Sequence, residues 1–166
     1  GGEFLYKPFD YKFSIGVESY KVKKRGFNQR FDFKKYETTT SHINMTYYFP
    51  KGIEANLSYG QYLAKDRGYT LDLARRTKSG FTAGFYFTRT NVPAEIFGEG
   101  SFDKGFYFKI PMDLFSNSYS ANYTGFKLSP LTRDGGAKLN LDKNLRDIIY
   151  NASDYEIYRY WSSFID

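Results

Sequence analysis

The chain has 166 residues, 21% of them aromatic, and a formal charge of +6 at neutral pH. It contains no apolar run of about 18 residues, which excludes a bundle of transmembrane helices, and no cysteine, which excludes disulfides and thiolate metal sites. Its basic balance favours anionic partners such as nucleic acid, lipopolysaccharide or acidic polysaccharide, although lysine-rich solvated turns explain the charge equally well.

Aromatic and β-branched residues fit pleated sheets, so the composition favours an all-β fold. Alternation of apolar and polar residues predicts strands that each have one apolar and one polar side. It occurs over residues 11–17, 43–49, 53–60, 69–74, 81–88, 106–110 and 119–128. The charged residues 20–37 are predicted to extend the first two strands around a long loop. A switch of sides near Gly125 predicts a β-bulge.

The C-terminal part of the chain has a different pattern. Leu141, Leu145, Ile148 and Ile149 recur at helical spacing, which predicts one short helix over about residues 142–150. Asp142 is its predicted N-cap. The aromatic residues 155–164 are a candidate eighth strand.

Tight turns alternate with longer connections along the chain, as in transmembrane barrels with short periplasmic turns and longer extracellular loops. The connections near residues 21–37, 63–68, 91–105 and 129–154 are predicted to lie at one end. Aromatic residues at the strand ends resemble interfacial girdles. The sequence therefore favours a single domain over residues 1–166, an antiparallel transmembrane β-barrel of about eight strands. A soluble β-sandwich that binds carbohydrate has the same alternation and stays open.

Residues 97–139 contain two loops rich in glycine and charge. The first reads Gly-Glu-Gly-Ser-Phe-Asp-Lys-Gly-Phe, and an Ile-Pro-Met-Asp-Leu segment precedes the second, Ser-Pro-Leu-Thr-Arg-Asp-Gly-Gly-Ala-Lys-Leu-Asn. These segments resemble the C-terminal part of the YjbH/GfcD-like outer-membrane proteins of exopolysaccharide and group 4 capsule systems. The resemblance implies a bacterial outer-membrane location and a role in export or assembly of a surface polysaccharide. It also implies that the strands are a sector of a larger barrel in a longer protein.

The sequence predicts no catalytic site, metal or cofactor. It lacks P-loop, dinucleotide and HExxH motifs, and its one histidine, His42, is expected on the polar side near a strand end. A carboxylate pair that hydrolyses glycans in a barrel enzyme is the less favoured alternative, because Asp103 and Asp134 are expected to stabilise their own turns.

The polar residues of the lumen are explained equally well by glycan binding and by simple filling of a barrel interior. Glycan binding would use aromatic rings that stack on sugars and polar groups that bind hydroxyls. The candidate residues are Tyr86, Glu99, Asp103, Tyr107, Arg133 and Asp134. Gly135 and Gly136 permit positive φ, so their loop is predicted to fold inward onto residues 98–105, with Arg133 clamping Asp103 or Glu99.

The expected partners follow from the same reasoning. They are a polysaccharide, outer-membrane lipid or lipopolysaccharide, and other envelope proteins of the export system. No nucleic-acid partner is expected, because the lysine-rich residues 21–35 match no recognised motif.

Overall fold

The computed structural model describes residues 1–25, 33–93, 102–115, 123–129, 135–141, 144–153, 157 and 161. They form an antiparallel sheet of eight strands and a short α-helix. The strands are β1 Gly2–Tyr6, β2 Phe13–Arg25, β3 Phe33–Phe49, β4 Ile53–Gln61, β5 Arg67–Arg76, β6 Thr82–Thr90, β7 Asp103–Pro111 and β8 Tyr123–Leu128, and the helix is α1 Leu145–Asn151. Among these residues, no helix is both long and apolar enough to cross a membrane.

Each strand pairs with its neighbours along the chain, so the sheet is a meander and its connections alternate between two ends. The Pro50 end holds residues 7–12, the 3-10 turn Pro50–Gly52 and the turn at residues 77–81. The Asp66 end holds residues 62–66. The predicted separation of the two tight turns from the connection near residues 63–68 is confirmed, because the tight turns lie at the opposite end of the sheet. The predicted placement of residues 129–154 at the Asp66 end is wrong for the helix, because Arg146 contacts Glu54 near the Pro50 end.

The predicted strands differ from the observed ones at three places. β1 was missed, because its five residues are too few for a clear period. The predicted bulge near Gly125 is wrong, because β7 and β8 pair without a register shift. The candidate strand at residues 155–164 is also wrong where it can be judged: Ile157 and Trp161 are helical, and the rest of that stretch lies outside the described residues.

The sheet does not close in the part of the chain that the structure describes. β1 pairs only with β2, and β8 pairs only with β7. The all-β antiparallel fold with one short helix is confirmed, whereas closure into a barrel is not observed. A single sheet also differs from the sandwich alternative, which requires two facing sheets.

Burial across the sheet is inverted relative to an ordinary water-soluble protein, in which apolar residues fill the interior. In β6 the side chain of Phe85 is 55% exposed, whereas Tyr86 is 8% exposed, which confirms the predicted alternation. Buried polar residues include Ser14, Thr38, Thr40, His42, Thr46, Asn56, Ser58, Thr82 and Thr88. Exposed apolar residues include Ile15, Val17, Ile43, Met45, Leu57, Phe106, Phe126 and Leu128. The sheet therefore has a buried polar side and an exposed apolar side.

Two reciprocal glycine–tyrosine pairs join β6 and β7 on the polar side. Gly84 lies opposite Tyr107, and Gly105 lies opposite Tyr86. A Cβ atom on Gly84 would approach Tyr107 Cζ to 2.4 Å, and one on Gly105 would approach Tyr86 Cε1 to 2.7 Å. Each glycine therefore leaves the space that the opposing ring fills, a device that also relieves crowding where a sheet curves.

Replacing Gly84 with valine should destabilise the fold by about 1–3 kcal/mol, the usual cost of forcing extra carbon atoms into a packed site. The new side chain must displace the ring of Tyr107. The measurement is the denaturant midpoint of unfolding. Gly2→Ala is the control, because nothing lies within 4 Å of a Cβ atom there. An equal effect of both substitutions would contradict the proposed fit between ring and glycine.

Candidate functional site

The polar side of the sheet is occupied by the chain's own C-terminal segment, defined as residues 135–141 and 144–151. At the Asp66 end, Leu63 N donates to the carbonyl oxygen of Ala137 (3.0 Å). Further along, Lys138 contacts β2, and Arg146 contacts Glu54 near the Pro50 end. The segment therefore crosses the sheet from the Asp66 end toward the Pro50 end.

Gly136 lies at the start of this crossing, in a conformation and a space that suit glycine. Its φ is +72°, and a Cβ atom would lie 2.7 Å from Thr88 Cγ2 and 3.9 Å from Asp103 Cβ. Its N–H donates to Asp66 Oδ2 (2.8 Å). Gly135 and Gly136 are both buried, so the predicted inward fold is confirmed for this pair.

Lys138 lies at the centre of a polar cluster on the middle of the sheet. Its Nζ donates to Glu18 Oε1 (2.9 Å), Asn44 Oδ1 (3.2 Å) and Ser58 Oγ (3.3 Å). The three donors of the ammonium group can thus all be used. Glu18 Oε1 also lies 3.1 Å from His42 Nδ1. The same carboxylate therefore binds a side chain of the sheet and one of the C-terminal segment.

His42 is confirmed on the polar side but is not near a strand end. It is buried in the middle part of β3, and its ring packs edge-on against Tyr62 with centroids 4.7 Å apart. Tyr62 in turn shares a hydrogen bond with Thr70 Oγ1 (2.6 Å), which shares one with Thr88 Oγ1 (2.7 Å). Burial raises the pKa of Tyr62 to about 12. The hydroxyl stays protonated at neutral pH and able to donate.

A second ionic cluster holds the segment near the Pro50 end. Arg146 Nη2 donates to Glu54 Oε1 (2.5 Å), its Nε donates to the same atom (3.1 Å), and Nη2 lies 3.6 Å from Asp72 Oδ1. Tyr107 donates its hydroxyl hydrogen to Asp72 Oδ1 (3.0 Å). Asp72 therefore has a donor from the sheet and a cation from the helix.

The start of helix α1 is fixed by two side-chain acceptors. Asn144 Oδ1 accepts from Asp147 N (2.9 Å), which makes Asn144 the N-cap and corrects the prediction of Asp142. Asp142 itself lies outside the described residues. Glu3 Oε2 in β1 accepts from Leu145 N (2.7 Å). A carboxylate at this position is favourable because the helix N-terminus carries partial positive charge.

The sheet and the C-terminal segment contribute different chemical groups to these contacts. In the contacts that involve charged groups, the sheet and its Asp66 connection supply the carboxylates, and the C-terminal segment supplies N–H groups and cations. The acceptors are Glu3, Glu18, Glu54, Asp66 and Asp72. The polar side of the sheet is therefore electrostatically complementary to the segment.

The structure brings together three of the predicted glycan-binding residues. Tyr86, Tyr107 and Asp103 share the polar side of β6 and β7, and Lys127 Nζ lies 4.1 Å from the centroid of the Tyr86 ring. Tyr107 is engaged by Asp72, whereas Tyr86 lies nearer the Asp66 end. The other candidates, Glu99, Arg133 and Asp134, lie outside the described residues.

A cleft opens beside α1 at the Pro50 end, between the helix and the polar side of the sheet. Its polar lining includes Glu54, Arg76, Thr82, Tyr107, Lys109 and Arg146. Sequence reasoning identified Tyr107 but missed the others. Four of the missed residues, Glu54, Arg76, Thr82 and Lys109, lie at inward positions of β4, β5, β6 and β7. Their alternation with outward residues identifies the side of the sheet but no particular site, and Arg146 lies in the helix.

Comparison with known proteins gives two matches. Residues 1–151 match the model of the YjbH family, described as exopolysaccharide biosynthesis protein YbjH. The chain is 39% identical over 158 residues to the uncharacterized lipoprotein YjbH of Escherichia coli (strain K12), covering 92% of this chain and 23% of that protein. The chain thus spans about a quarter of the length of this relative. No solved structure matches.

Replacing Arg146 with leucine should loosen the C-terminal segment, because Glu54 and Asp72 lose their cation. A charged group left without its partner costs about 1–3 kcal/mol, which corresponds to amide exchange about ten- to a hundredfold faster in residues 145–149. Hydrogen exchange followed by mass spectrometry measures this rate. Arg75→Leu is the control, because Arg75 is exposed on the opposite side of the sheet. Unchanged exchange in Arg146→Leu would show that the ion pairs do not hold the helix.

Proposed function

Because the chain belongs to the YjbH exopolysaccharide biosynthesis family, we propose that its sheet spans the bacterial outer membrane as a sector of a β-barrel. This barrel assists export or assembly of a surface exopolysaccharide or capsule. The observation that carries the proposal is the inverted burial of the sheet. Polar side chains are buried on one side, and large apolar side chains are exposed on the other.

A hydrocarbon environment accounts for the exposed apolar side. The outward residues of β6 and β7 that lie opposite each other, Phe85 and Phe106, are 55% and 46% exposed. Exposing such residues to water is unfavourable, whereas exposing them to lipid is not. Paired strands also satisfy their backbone hydrogen bonds internally, as a membrane requires.

The open edges of the sheet favour a sector over a complete barrel. An unpaired strand edge is not tolerated in the hydrocarbon core, because its N–H and C=O groups have no water to bind. In the proposed arrangement, strands from the rest of a longer protein pair with β1 and β8. The relative that is about four times longer supports this arrangement, and its description as a lipoprotein fits an envelope location.

The proposed role is structural rather than catalytic. The buried polar groups bind one another and the C-terminal segment, and the cleft beside α1 is lined by donors and acceptors of the kind that bind sugar hydroxyls. Tyr107 contributes the aromatic surface there. Tyr86 and Asp103 are the proposed glycan contacts toward the opposite end. Glu99, Arg133 and Asp134 are proposed as glycan contacts from the sequence alone.

The intact protein purified from membranes tests the location directly. It should resist extraction by carbonate, require detergent for solubility, and migrate differently on gels before and after heating, as folded outer-membrane barrels do. A protein that stays folded and monodisperse in buffer without detergent would contradict the proposal. It would favour a soluble carbohydrate-binding domain instead.

Phe85→Arg should impair assembly into the membrane. A charged arginine on the lipid side costs about 2–4 kcal/mol near the midplane of the bilayer. The measurements are the amount of heat-modifiable protein in the outer membrane and the amount of surface polysaccharide, both of which should fall. Ser79→Arg is the matched control, because Ser79 is exposed in a turn at the Pro50 end. Normal assembly of Phe85→Arg would remove the lipid-facing assignment.

Locking the C-terminal segment to the sheet should leave export intact. Undocking would uncover the facing carboxylates of the sheet, so the segment is expected to stay in place while glycan uses the cleft. Leu63→Cys with Ala137→Cys joins the two through the site of their backbone hydrogen bond, and the chain has no other cysteine. The measurement is surface polysaccharide with and without oxidant, and each single cysteine variant is a control. Export that stops on oxidation and returns with reductant would show that the segment acts as a gate.

A further inference from the structure

A set of basic side chains projects from the apolar side of the sheet at the Asp66 end. It comprises Lys21, Lys23, Arg67, Arg89 and Lys104, all exposed, and is referred to below as the basic belt. Each continues a row of outward apolar residues in its own strand. Arg67 precedes Tyr69 and Leu71, for example, and Lys104 precedes Phe106 and Phe108 at alternate positions.

The belt runs obliquely across the strands. Arg67 pairs with Gln61, and Arg89 pairs with Tyr69, two residues further into β5 than Arg67. Lys104 pairs with Phe87, two residues further into β6 than Arg89. The strands of closed barrels are tilted by about 35–45° from the barrel axis. A line of residues that steps in one direction from strand to strand is what tilted strands require of residues at one depth in a membrane.

On the other side of the belt, Lys21 extends the same line. It pairs with Thr39, two residues beyond Ser41, and Ser41 pairs with Gln61. Glu37 forms ion pairs with Lys21 (2.5 Å) and Lys23 (3.3 Å), so this part of the belt is partly neutralised. No acidic partner of Arg67, Arg89 or Lys104 is found among the residues that the structure describes.

The opposite end of the apolar side has a different composition. At the Pro50 end the outward positions of the described strands carry aromatic or aliphatic residues such as Tyr47, Phe49, Phe108 and Phe126. Arg75 is the one outward basic residue of the described strands there. An apolar band bordered by aromatic residues on one side and by cations on the other distinguishes two interfaces of different charge.

We propose that the basic belt binds the phosphate groups of lipid A glycolipids in the outer leaflet of the outer membrane. This inference rests on the proposed membrane-spanning function and adds its orientation, with the Asp66 end facing outward. Lysine and arginine bind phosphate through charge-assisted hydrogen bonds. The belt begins where the apolar band ends, which is the depth at which acyl chains meet a phosphorylated headgroup.

The test compares binding of the intact protein, purified in detergent, to two kinds of phosphatidylcholine liposome. One contains bisphosphorylated lipid A, and the other contains the same lipid after removal of its phosphates. The variant combines Arg67→Gln, Arg89→Gln and Lys104→Gln, and Arg75→Gln is the control. Basic residues near an anionic surface each contribute about fivefold to binding. Preference for phosphorylated lipid A should therefore fall about a hundredfold in the triple variant and stay unchanged in the control.

The outcomes separate the belt from the membrane proposal. Insertion of the unaltered protein into both liposomes without preference would overturn the belt and leave the barrel standing. A protein that enters neither liposome and stays folded in buffer would overturn both. An equal fall of this preference in the triple variant and in Arg75→Gln would also overturn the belt. If the triple variant does not fold, the preference of Arg89→Gln alone for phosphorylated lipid A should fall about fivefold. An unchanged preference in that variant would overturn the belt. Competition by soluble phosphate at low concentration would indicate a free-phosphate site instead of a lipid site.

Discussion

The buried polar side of the sheet can exist only if its carboxylates have partners. Burying an ionised group without a partner is among the most costly events in folding. Glu18 is paired with His42 of the sheet and with Lys138 of the C-terminal segment. Asp72 is paired with Tyr107 of the sheet and with Arg146 of the segment. The buried carboxylates of the sheet thus depend on the segment for their stabilisation. Removal of the segment would leave like charges on one side of the sheet, with His42 and Tyr107 but no cation from the segment to compensate them.

Geometry imposes a related constraint. A sheet that turns its polar side inward must make room there, and β6 and β7 do so with the Gly84–Tyr107 and Tyr86–Gly105 pairs. The same pairs connect packing to electrostatics, because the Tyr107 ring that covers Gly84 carries the hydroxyl that binds Asp72. Arg146 Nη2 lies 3.6 Å from the same oxygen of Asp72. A change in backbone packing on β6 is therefore expected to reach the helix that lies across the sheet.

The alternation alone predicts which residues share a side of the sheet but not which side is buried. The alternation around Phe85 and Tyr86 appears identical in a soluble sheet and in an inverted one, because period two contains no information about the solvent. Glycine chemistry was a better guide, since Gly135 and Gly136 signalled an inward fold. Their partner Asp66 was out of reach, because 70 residues separate it from Gly136 and no local pattern records such a contact. The error at residues 155–164 has a similar cause: Ile157 and Trp161 are four positions apart, which suits a helix face as well as a strand.

The net charge of +6 is not distributed evenly between the two sides of the sheet. Many of the acids face inward and are used by the C-terminal segment, so the apolar side and its borders are more basic than the total suggests. An acidic polysaccharide near the polar side would meet Lys138 and Arg146 while the segment stays docked. It would meet Glu18, Glu54 and Asp72 if the segment withdrew. Coulomb repulsion in a confined, low-dielectric space then opposes passage. Under the proposed function, the docked state is therefore the one that favours an anionic glycan, and a segment that covers carboxylates is better suited to line a path for the glycan than to open one.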